Sequence, residues 1–441
     1  MSAQDIIRSY LTISGTYTLS ASLIWGVNTL FLLDAGLDIL GVFVANAVFT
    51  ASMALFEIPT GVLADTRGRR VSFLLSVIIL AGGTLGYVGV AAWGGGLAMF
   101  CLMSIILGLG YTFYSGAVEA WLVDALKAAG FAGQMDKVFA RGAMVSGVAM
   151  LLGTVGGGLL GSIDLALPFV VRAVLLAIVF GLAAYTMFDL GFTPRTLQLA
   201  RLPQEMKLIA QASIQYGWHE PSVRLLMIVA FIQAIFMAWG FYAWQPYFLE
   251  LLDHREATWV AGVIAALISL STIVGNSIVE WFTRYCGRRT TLMIWAGGIA
   301  SVAAIGVGIA GSFWLAVPLY LLVMAAMGVM MPVRQAYMHQ VIPSKQRATV
   351  ISFDSLIGSG GSAGGQAGLG YLAQAHSISQ GYIVGGLVMI LALPVQLFLR
   401  RLNSPADHIV GTAGHKGGCS AQGFPDVASL DRQPVAEKDN L

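Results

Sequence analysis

Charged residues are scarce in this chain. Only 10% of its 441 residues are Asp, Glu, Lys or Arg, whereas 57% are hydrophobic, and its mean hydropathy is +0.79. A soluble domain of this length does not need so much apolar surface, so the composition argues against a soluble protein. The net charge of +2 gives no sign of a nucleic-acid partner, and we expect none.

Cysteines are few, and motifs of enzymes are missing. Cys101, Cys286 and Cys419 are scattered, without the spacing of metal ligands or of a disulfide framework. The sequence contains no Walker motif or dinucleotide fingerprint and no hydrolase elbow. We therefore expect no enzyme activity, no cofactor and no metal. Any work that the protein performs would draw on an ion gradient or on a gradient of its own substrate.

Long apolar runs are abundant instead. Many exceed 18 residues, enough to cross a hydrocarbon core of ~30 Å as a helix. Helices are expected because they satisfy their own backbone hydrogen bonds in lipid. The polar N-terminus has no signal-peptide cleavage pattern, so we expect the first span to be retained. The runs predict an all-α polytopic membrane protein with twelve transmembrane helices, at 10–33, 39–63, 71–92, 97–122, 140–162, 167–190, 223–250, 258–282, 291–311, 313–337, 348–372 and 381–400.

Two polar stretches divide the spans into six plus six. They predict four regions: an N-terminal six-helix bundle, a cytoplasmic central loop, a C-terminal six-helix bundle and a disordered cytoplasmic tail. These regions cover residues 1–190, 191–222, 223–401 and 402–441.

Positive charges cluster in alternate loops. They are Arg67, Arg69 and Arg70 after span 2, Lys127, Lys137 and Arg141 after span 4, Arg195, Arg201, Lys207 and Arg224 around the central loop, Arg284, Arg288 and Arg289 after span 8, Arg334, Lys345 and Arg347 after span 10, and Arg400 and Arg401 after span 12. Under the positive-inside rule both termini are cytoplasmic, and we expect a plasma (inner) membrane location.

The turn after span 2 reads GVLADTRGRR. Gly61, Asp65, Gly68, Arg69 and Arg70 match a signature in which an aspartate follows a glycine by four residues and Gly-Arg-Arg comes next. In this position the sequence resembles the major facilitator superfamily. The resemblance implies two pseudo-symmetric six-helix bundles that hold substrate between them.

The residues of this turn suit a conformational latch. Gly61 permits close helix approach, Asp65 suits a helix N-terminus, and the arginines, including Arg67, can bridge to acids in only one access state. The alternative is an ordinary topogenic turn. A degraded second copy after span 8 supports an internal duplication, with Glu280 and Arg284 at the places of the glycine and aspartate, followed by Gly287, Arg288 and Arg289.

Span 5 carries the stretch GTVGGGLLG. Its Gly153, Gly157 and Gly158 resemble the glycine motif of the superfamily's drug–proton antiporters, although Thr154 replaces the motif's proline. Simple packing of small residues is an equal alternative. Span 4 lacks the arginine that many of these antiporters carry, which weakens the case for their scheme of proton coupling.

Acidic residues inside the spans are candidates for proton coupling, because lipid makes them costly. We consider Glu57 first, then Asp354 and Glu119. For Glu57, a structural acid bonded to the arginines of the inner gate is the alternative and is slightly favoured. For Glu119 and Asp124, structural salt bridges to Arg69, Arg70 or Arg141 are the favoured interpretation. Glu280 is a further gate candidate.

Aromatic, methionine and amide side chains of spans 1, 2 and 7 suit a large, mostly apolar ligand. The candidates for substrate contact are Trp25, Asn28, Asn46, Gln233, Met237, Tyr242 and Trp244. The interfacial aromatic belt is the alternative for the tryptophans. Arg172, the one basic residue well within a span, either snorkels outward, which we favour, or meets an anionic group of a substrate.

These observations together predict a monomeric secondary transporter. We expect it to export small amphipathic, drug-like compounds by proton antiport through a rocker-switch cycle. A symporter or facilitator for metabolite uptake is the alternative. An alternative of another class is a membrane sensor or scaffold that transports nothing.

Overall fold

A computed structural model describes residues 1–192, 211, 213–254, 257–342 and 347–409. In this part of the chain the main elements are fifteen helices. They are α1 (Ala3–Ser22), α2 (Asn28–Asp34), α3 (Ile39–Arg67), α4 (Arg69–Ala92), α5 (Leu97–Tyr114), α6 (Ala117–Ala128), α7 (Met135–Gly161), α8 (Leu167–Thr186), α9 (Pro221–Leu251), α10 (Thr258–Tyr285), α11 (Arg289–Ile309), α12 (Phe313–Val341), α13 (Arg347–Ala375), α14 (Ile378–Ile390) and α15 (Ala392–Arg401).

The helices form twelve passes, as predicted. Within the described residues, ten passes are long and apolar enough to cross a membrane. The other two, α1 with α2 and α13, are rich in Ser, Thr, Gly and Gln. A π-helical turn at Ser213–Trp218 precedes α9. Most of the predicted central loop, residues 193–210 and 212, lies outside the described residues.

Spans 1, 4 and 12 are each broken, although hydropathy predicted continuous helices. Span 1 breaks between α1 and α2 around Trp25. Span 4 breaks at Gly116, whose φ of +72° is left-handed and favours glycine. Span 12 breaks where Pro394, in the first turn of α15, has no N–H to bond the carbonyl of Ile390. The apolar run continues across each break, which is why hydropathy alone does not reveal them.

The N-terminal half, α1 to α8, and the C-terminal half, α9 to α15, each pack mainly within themselves. The halves meet where α3 contacts α13, α7 contacts α10, and α2 contacts α9. We call the end of the bundle that carries the α3–α4 and α10–α11 turns, with Arg69 and Arg289, the arginine end. The other end, with the α2–α3, α7–α8 and α9–α10 turns, is the opposite end.

Each half closes with an aspartate that caps its third pass. In the first half, Asp189 Oδ1 accepts from the backbone N–H of Arg70 at the start of α4, at 2.9 Å. In the second, Asp407 accepts from the N–H of Thr290 at 2.8 Å and from its hydroxyl at 2.8 Å. A carboxylate at a helix N-terminus is favourable. These caps fasten the last segment of each half to that half.

The predicted start of the disordered tail at residue 402 is wrong. Pro405–Asp407 form a 3₁₀ turn, Asp407 is fully buried, and the N–H of Ile409 donates to the carbonyl of Gly287. Polar composition hid this capping role, because a buried aspartate bonded to a helix terminus resembles a loop residue in sequence. Residues 410–441 lie outside the described residues.

Candidate substrate site

The crevice between the halves is closed toward the opposite end by a buried amide. Gln245 of α9 accepts from the N–H of Thr29 at 2.9 Å and donates to the carbonyl of Trp25 at 2.9 Å. Both partners flank the break in span 1, whose backbone groups lack helical partners. Gln245 is fully buried. One side chain of the C-terminal half therefore satisfies the broken helix of the N-terminal half.

Further contacts close the same end. Gln366 of α13 donates to the hydroxyl of Thr50 of α3 at 3.1 Å. Deeper toward the opposite end, the rings of Phe43 and Trp239 lie 5.7 Å apart. Thr258 donates to the carbonyl of Gly158 at 3.3 Å, and a Cβ added at Gly158 would meet the backbone of Gly262 at 2.6 Å. The halves are in backbone contact there.

Toward the arginine end the same helix face opens. Glu57, two turns beyond Thr50 on α3, is exposed. A Cβ added at Gly61 would meet no described atom within 4 Å. The gradient from close packing to open space along α3 describes a crevice that is accessible from the arginine end. The close helix approach predicted at Gly61 is not made in this conformation.

One cavity of the crevice, which we call the Arg172 cavity, has a volume of about 270 Å³. Four of the predicted contact residues lie on its wall: Trp25, Asn28, Asn46 and Tyr242. The amide of Asn28 donates to the side-chain oxygen of Asn46 at 3.3 Å. Five further tyrosine and phenylalanine side chains line the wall beside five aliphatic or methionine side chains, so the cavity is apolar and rich in aromatic groups, with two amides.

Arg172 lies in this wall and does not snorkel. Its side chain enters the bundle, and the residue is only 8% exposed. The snorkelling interpretation is therefore wrong. Arg172 lies on the face of α8 that packs against other helices of the N-terminal half, and this face does not meet lipid. Its neighbours include the phenols of Tyr17 and Tyr111.

The second cavity, which we call the Arg334 cavity, has a volume of about 560 Å³ and lies nearer the arginine end. Arg334 of α12 donates to both carboxylate oxygens of Asp354 of α13, at 2.5 and 2.6 Å, and each side chain is 14% exposed. Gln233 and Met237 line the same wall. Phe241 borders both cavities, so the two are neighbours, and the Arg334 cavity lies between the Arg172 cavity and the arginine end.

The signature turn after α3 is bonded within its own half. Asp65 and Arg69 form an ion pair at 2.7 Å. The guanidinium of Arg70 donates to the carbonyl of Ala184 at 2.7 Å and lies 5.5 Å from the ring centre of Phe188. Gly68 has a φ of +107°. The turn thus braces α4 against the end of α8.

Its second copy repeats this arrangement on the C-terminal half. Arg289 donates to Gln340 at 3.1 Å and to the carbonyls of Ala406 and His408 at 2.6 and 2.9 Å. Glu280 and Arg284 pair at 3.0 Å on the surface of α10. Gly287 and Arg288 contact the returning segment through backbone bonds to Ile409 and His408.

The three glycines of the antiporter-like stretch are sites of close packing. A Cβ on Gly153 or Gly157 would overlap Ser22 and the carbonyl of Leu23 on α1, and one on Gly158 would meet α10. The stretch therefore lets α7 approach both the first pass and the other half. This is the packing role weighed as the alternative, and a role in antiport stays a prediction.

Other predicted residues lie apart from the crevice contacts. In the described part of the chain, Glu119, Asp124 and Arg141 form no ion pair, and the guanidinium groups of Arg69 and Arg70 take the partners given above. The predicted pairs with these arginines are therefore not formed in this conformation. Trp244 is 1% exposed and packs 6.1 Å from the ring of Phe248. Trp244 lines a narrow pocket of about 20 Å³ beside Trp25 and Phe241, and its role as a substrate contact stays a prediction.

Sequence reasoning missed several residues that organise the site. Arg334 was counted only as a topogenic charge near the end of span 10. Gln245 is an amide within an apolar pass, and its rarity there was the available signal, whereas Gln366 lies in a pass rich in Ser, Gly and Gln, where an amide does not stand out. Asp407 falls outside the predicted spans and Asp189 at the last residues of span 6, where aspartate is common, and nothing local distinguishes them.

Comparisons with known proteins agree with this architecture. The sequence matches the Major Facilitator Superfamily over residues 11–285 and 253–425. It is 22% identical over 404 residues to an uncharacterised MFS-type transporter, YxaM, of Bacillus subtilis (strain 168), covering 89% of this chain and 94% of that protein.

Solved structures share the fold at low sequence identity. The nucleoside transporter NupG gives a TM-score of 0.73 at 11% identity, over 90% of this chain and 99% of that one. A POT family transporter in complex with 5-aminolevulinic acid gives 0.69 at 13%, over 92% and 100%. A bacterial homologue of the lysosomal transporter Spinster, inward-facing and occupied, gives 0.66 at 15%, over 91% and 98%.

Two halves with a repeated signature turn, a crevice between them and a sequence match along most of the length lead to one conclusion. The chain is a multi-pass membrane transporter that belongs to the Major Facilitator Superfamily.

Proposed function

We propose that this transporter moves small amphipathic organic compounds through the central crevice by alternating access. One observation carries the proposal, namely that the crevice is closed at one end and open at the other. Gln245 of α9 closes it toward the opposite end, whereas Glu57 and Gly61, on one face of α3, are open toward the arginine end. A path closed at one end and lined by aromatic, methionine and amide groups suits such a ligand.

We propose that the arginine end faces the cytoplasm of the plasma (inner) membrane. The clustering of positive charge at this end supports that orientation, and both termini then lie inside. In this state the crevice would receive a compound from the cytoplasm. The protein would work as a monomer, since the crevice is formed within one chain.

We further propose that transport is export coupled to proton entry. Asp354 supports this, because its ion pair with Arg334 faces the cavity that an entering compound meets first. Protonation of Asp354 would release Arg334, and the altered charge would favour a different arrangement of α12 and α13. Glu57 is a second proton candidate, exposed in the crevice and unpaired among the described residues.

Metabolite uptake is the second candidate. The structural neighbours include a nucleoside transporter and a transporter in complex with 5-aminolevulinic acid, and the same crevice is compatible with either direction. Family membership favours both transport proposals over a sensor or scaffold that moves nothing.

Reconstituted vesicles distinguish these proposals. The purified protein is placed in proteoliposomes that carry a pH-sensitive dye, and the interior is made more acidic than the outside. A panel of cationic, neutral and anionic aromatic compounds is then added to the outside. Export by antiport predicts that a transported compound accelerates proton efflux from the vesicles in exchange for its uptake. Vesicles without protein are the control.

The direction of proton flux decides between the candidates. Movement of compound and proton in the same direction would support uptake by symport. Flux that does not respond to the pH gradient would indicate a facilitator. If no compound of the panel moves by any of these routes, the proposal of an amphipathic substrate is wrong.

A further inference from the structure

The side chain of Arg172 carries a positive charge that nothing in the described chain compensates. Only 8% of the residue is exposed, and it forms no ion pair or hydrogen bond among the described residues. Its Nε lies buried without an acceptor. Moving a charge out of water without a partner is strongly unfavourable. An arginine cannot relieve this by losing its proton.

The surroundings of Arg172 add donors and no negative charge. Asn46, 4% exposed, also buries a side-chain nitrogen without an acceptor. No Asp or Glu is among the described residues that line the cavity. Both unsatisfied groups are donors, so the missing partner supplies acceptors.

The rest of the wall defines the body of that partner. Trp25, Phe49, Tyr87 and Tyr242 provide aromatic surface, and Met53 adds an adaptable apolar group. The volume of about 270 Å³ lies near the lower end for small-molecule sites. A compact molecule with a ring or short apolar body would fill it.

The charge balance selects one negative charge. Arg172 is the cavity's single cation among the described residues, and a carboxylate matches the two-pronged geometry of a guanidinium. A phosphate dianion would leave one charge uncompensated in a largely apolar cavity. The chemistry therefore favours a monocarboxylate.

We propose that Arg172 binds the carboxylate of a small organic acid whose apolar body lies against the aromatic wall. This inference names the substrate class and rests on the proposed transport function. Asn46 would donate a second hydrogen bond to the same carboxylate. The Arg334 cavity, whose cation is already paired, would be the route of entry and not the anion site.

Matched acid and amide pairs test the proposal. We would measure binding of benzoate, phenylacetate and indole-3-acetate to the full-length protein in nanodiscs, each beside its neutral amide. Calorimetry and the thermal shift of the protein are the readouts. At least one acid is expected to bind at least about tenfold more tightly than its amide, since hydrogen bonds to a charged group are strong.

Arg172→Gln and the conservative Arg172→Lys separate charge from packing. Arg172→Gln should weaken acid binding by roughly 10- to 100-fold, and Arg172→Lys should retain part of it. Without ligand, Arg172→Gln should melt at a higher temperature than the wild type, because it removes an uncompensated buried charge. Arg8→Gln, an exposed arginine on α1, is the control and should change neither quantity.

Several results would overturn the assignment. They are failure of every acid to bind at millimolar concentration, equal binding of acids and amides, and undiminished acid binding by Arg172→Gln. Transport assays separate this inference from the transport proposal. Flux of neutral or cationic compounds that is indifferent to Arg172→Gln contradicts the acid class alone. Acid binding that depends on Arg172, without any flux, contradicts the transport proposal alone.

Discussion

Single residues fix the electrostatics of the crevice, and the two halves differ in how they do so. The C-terminal half holds a balanced pair, Arg334 with Asp354. The N-terminal half holds Arg172 without a partner among the described residues. A buried pair is costly to break on one side but much less so to remove as a whole. The two arginines should therefore respond differently to mutation.

Asp354→Asn is expected to abolish the dependence of transport on the pH gradient. It would also lower the free energy of unfolding by about 3 kcal/mol, because Arg334 would be left buried and unpaired. Substrate exchange without a gradient should persist. The measurements are proton flux in vesicles and thermal unfolding.

A double variant and a distant carboxyl provide the controls for Asp354. Arg334→Gln with Asp354→Asn should recover much of the stability lost by the single change. Glu250→Gln, on an exposed part of α9, should leave coupling intact. A full proton response in Asp354→Asn would assign the proton to another residue, with Glu57 next.

Two buried glutamines make a matched pair for the closure at the opposite end. Gln245→Leu would leave the carbonyl of Trp25 and the N–H of Thr29 without partners, at a cost of about 1–3 kcal/mol for each group. Gln396, fully buried, has no described partner for either amide atom. Gln396→Leu should therefore be neutral or stabilising.

The reactivity of a cysteine in the crevice measures whether Gln245→Leu opens the opposite end. A cysteine introduced at Asn28 should become more reactive toward a membrane-impermeant thiol reagent added from the opposite end. The same cysteine with Gln396→Leu should not change. Equal reactivity in the two backgrounds would mean that the Gln245 bonds do not hold this end closed.

The sequence predicted much of the wall but not its organisation. Asn28, Asn46 and Gln233 could be found because amides are rare in apolar passes. Trp244 packs against Phe248 and borders only a narrow pocket, a difference that sequence could not show because helical periodicity cannot distinguish a packing face from a cavity face. Arg334 was overlooked because a charge near the end of a span has a sufficient topological explanation. Their roles as substrate contacts stay predictions.

At the scale of elements, α7 and α10 control the contact between the halves. Gly158 and Gly262 let the two backbones touch at the opposite end. Gly156, in the same stretch, has its nearest neighbour, a side-chain atom of Leu23, 3.8 Å from an added Cβ. The stretch thus contains a position that tolerates a side chain beside one that does not.

Gly158→Leu is expected to prevent this closure and to slow transport by at least about tenfold, since backbone atoms cannot yield to a side chain. The crevice would then favour the state open at the opposite end. Gly156→Ala should transport normally. Crosslinking of a cysteine pair across the α7–α10 contact measures closure directly. Normal flux and crosslinking in Gly158→Leu would contradict the close-packing role.

Hydropathy predicted the existence of every pass, because a helix that crosses the hydrocarbon core must carry an apolar run of known length. The interruptions escaped it. The partner that satisfies the break in span 1, Gln245, lies more than two hundred residues away in sequence, so no local pattern could identify it. The break in span 12 had a local cause, Pro394, that a reading of proline positions could have found.

At the scale of the whole molecule, the six-plus-six division followed from polar stretches and the repeated signature. The conformation did not, because the proposed alternating-access cycle requires one sequence to be compatible with both access states. Which end is closed depends on the balance of contacts at the two ends. Here the opposite end has Gln245, Gln366 and the glycine contact, whereas the signature arginines at the other end bond within their own halves.

Separate halves are expected to assemble when expressed as two polypeptides, 1–192 and 193–441. Asp189 and Asp407 each fasten the last segment of a half to that same half, so neither half needs the covalent link to complete itself. Co-purification and flux at a substantial fraction of the intact level are the expected results. Replacing Asp189 with Ala in the first piece should reduce assembly, and failure of the unmodified pieces to associate would contradict this view.

The two aspartate caps therefore set where strain can act during a cycle. We expect the bond between Asp189 and the N–H of Arg70 to take up part of a pull on the connecting segment before it reaches α8. The connection then serves as a tether and not as a lever, and its length and composition become free variables for evolution or for an engineer who inserts a reporter domain there.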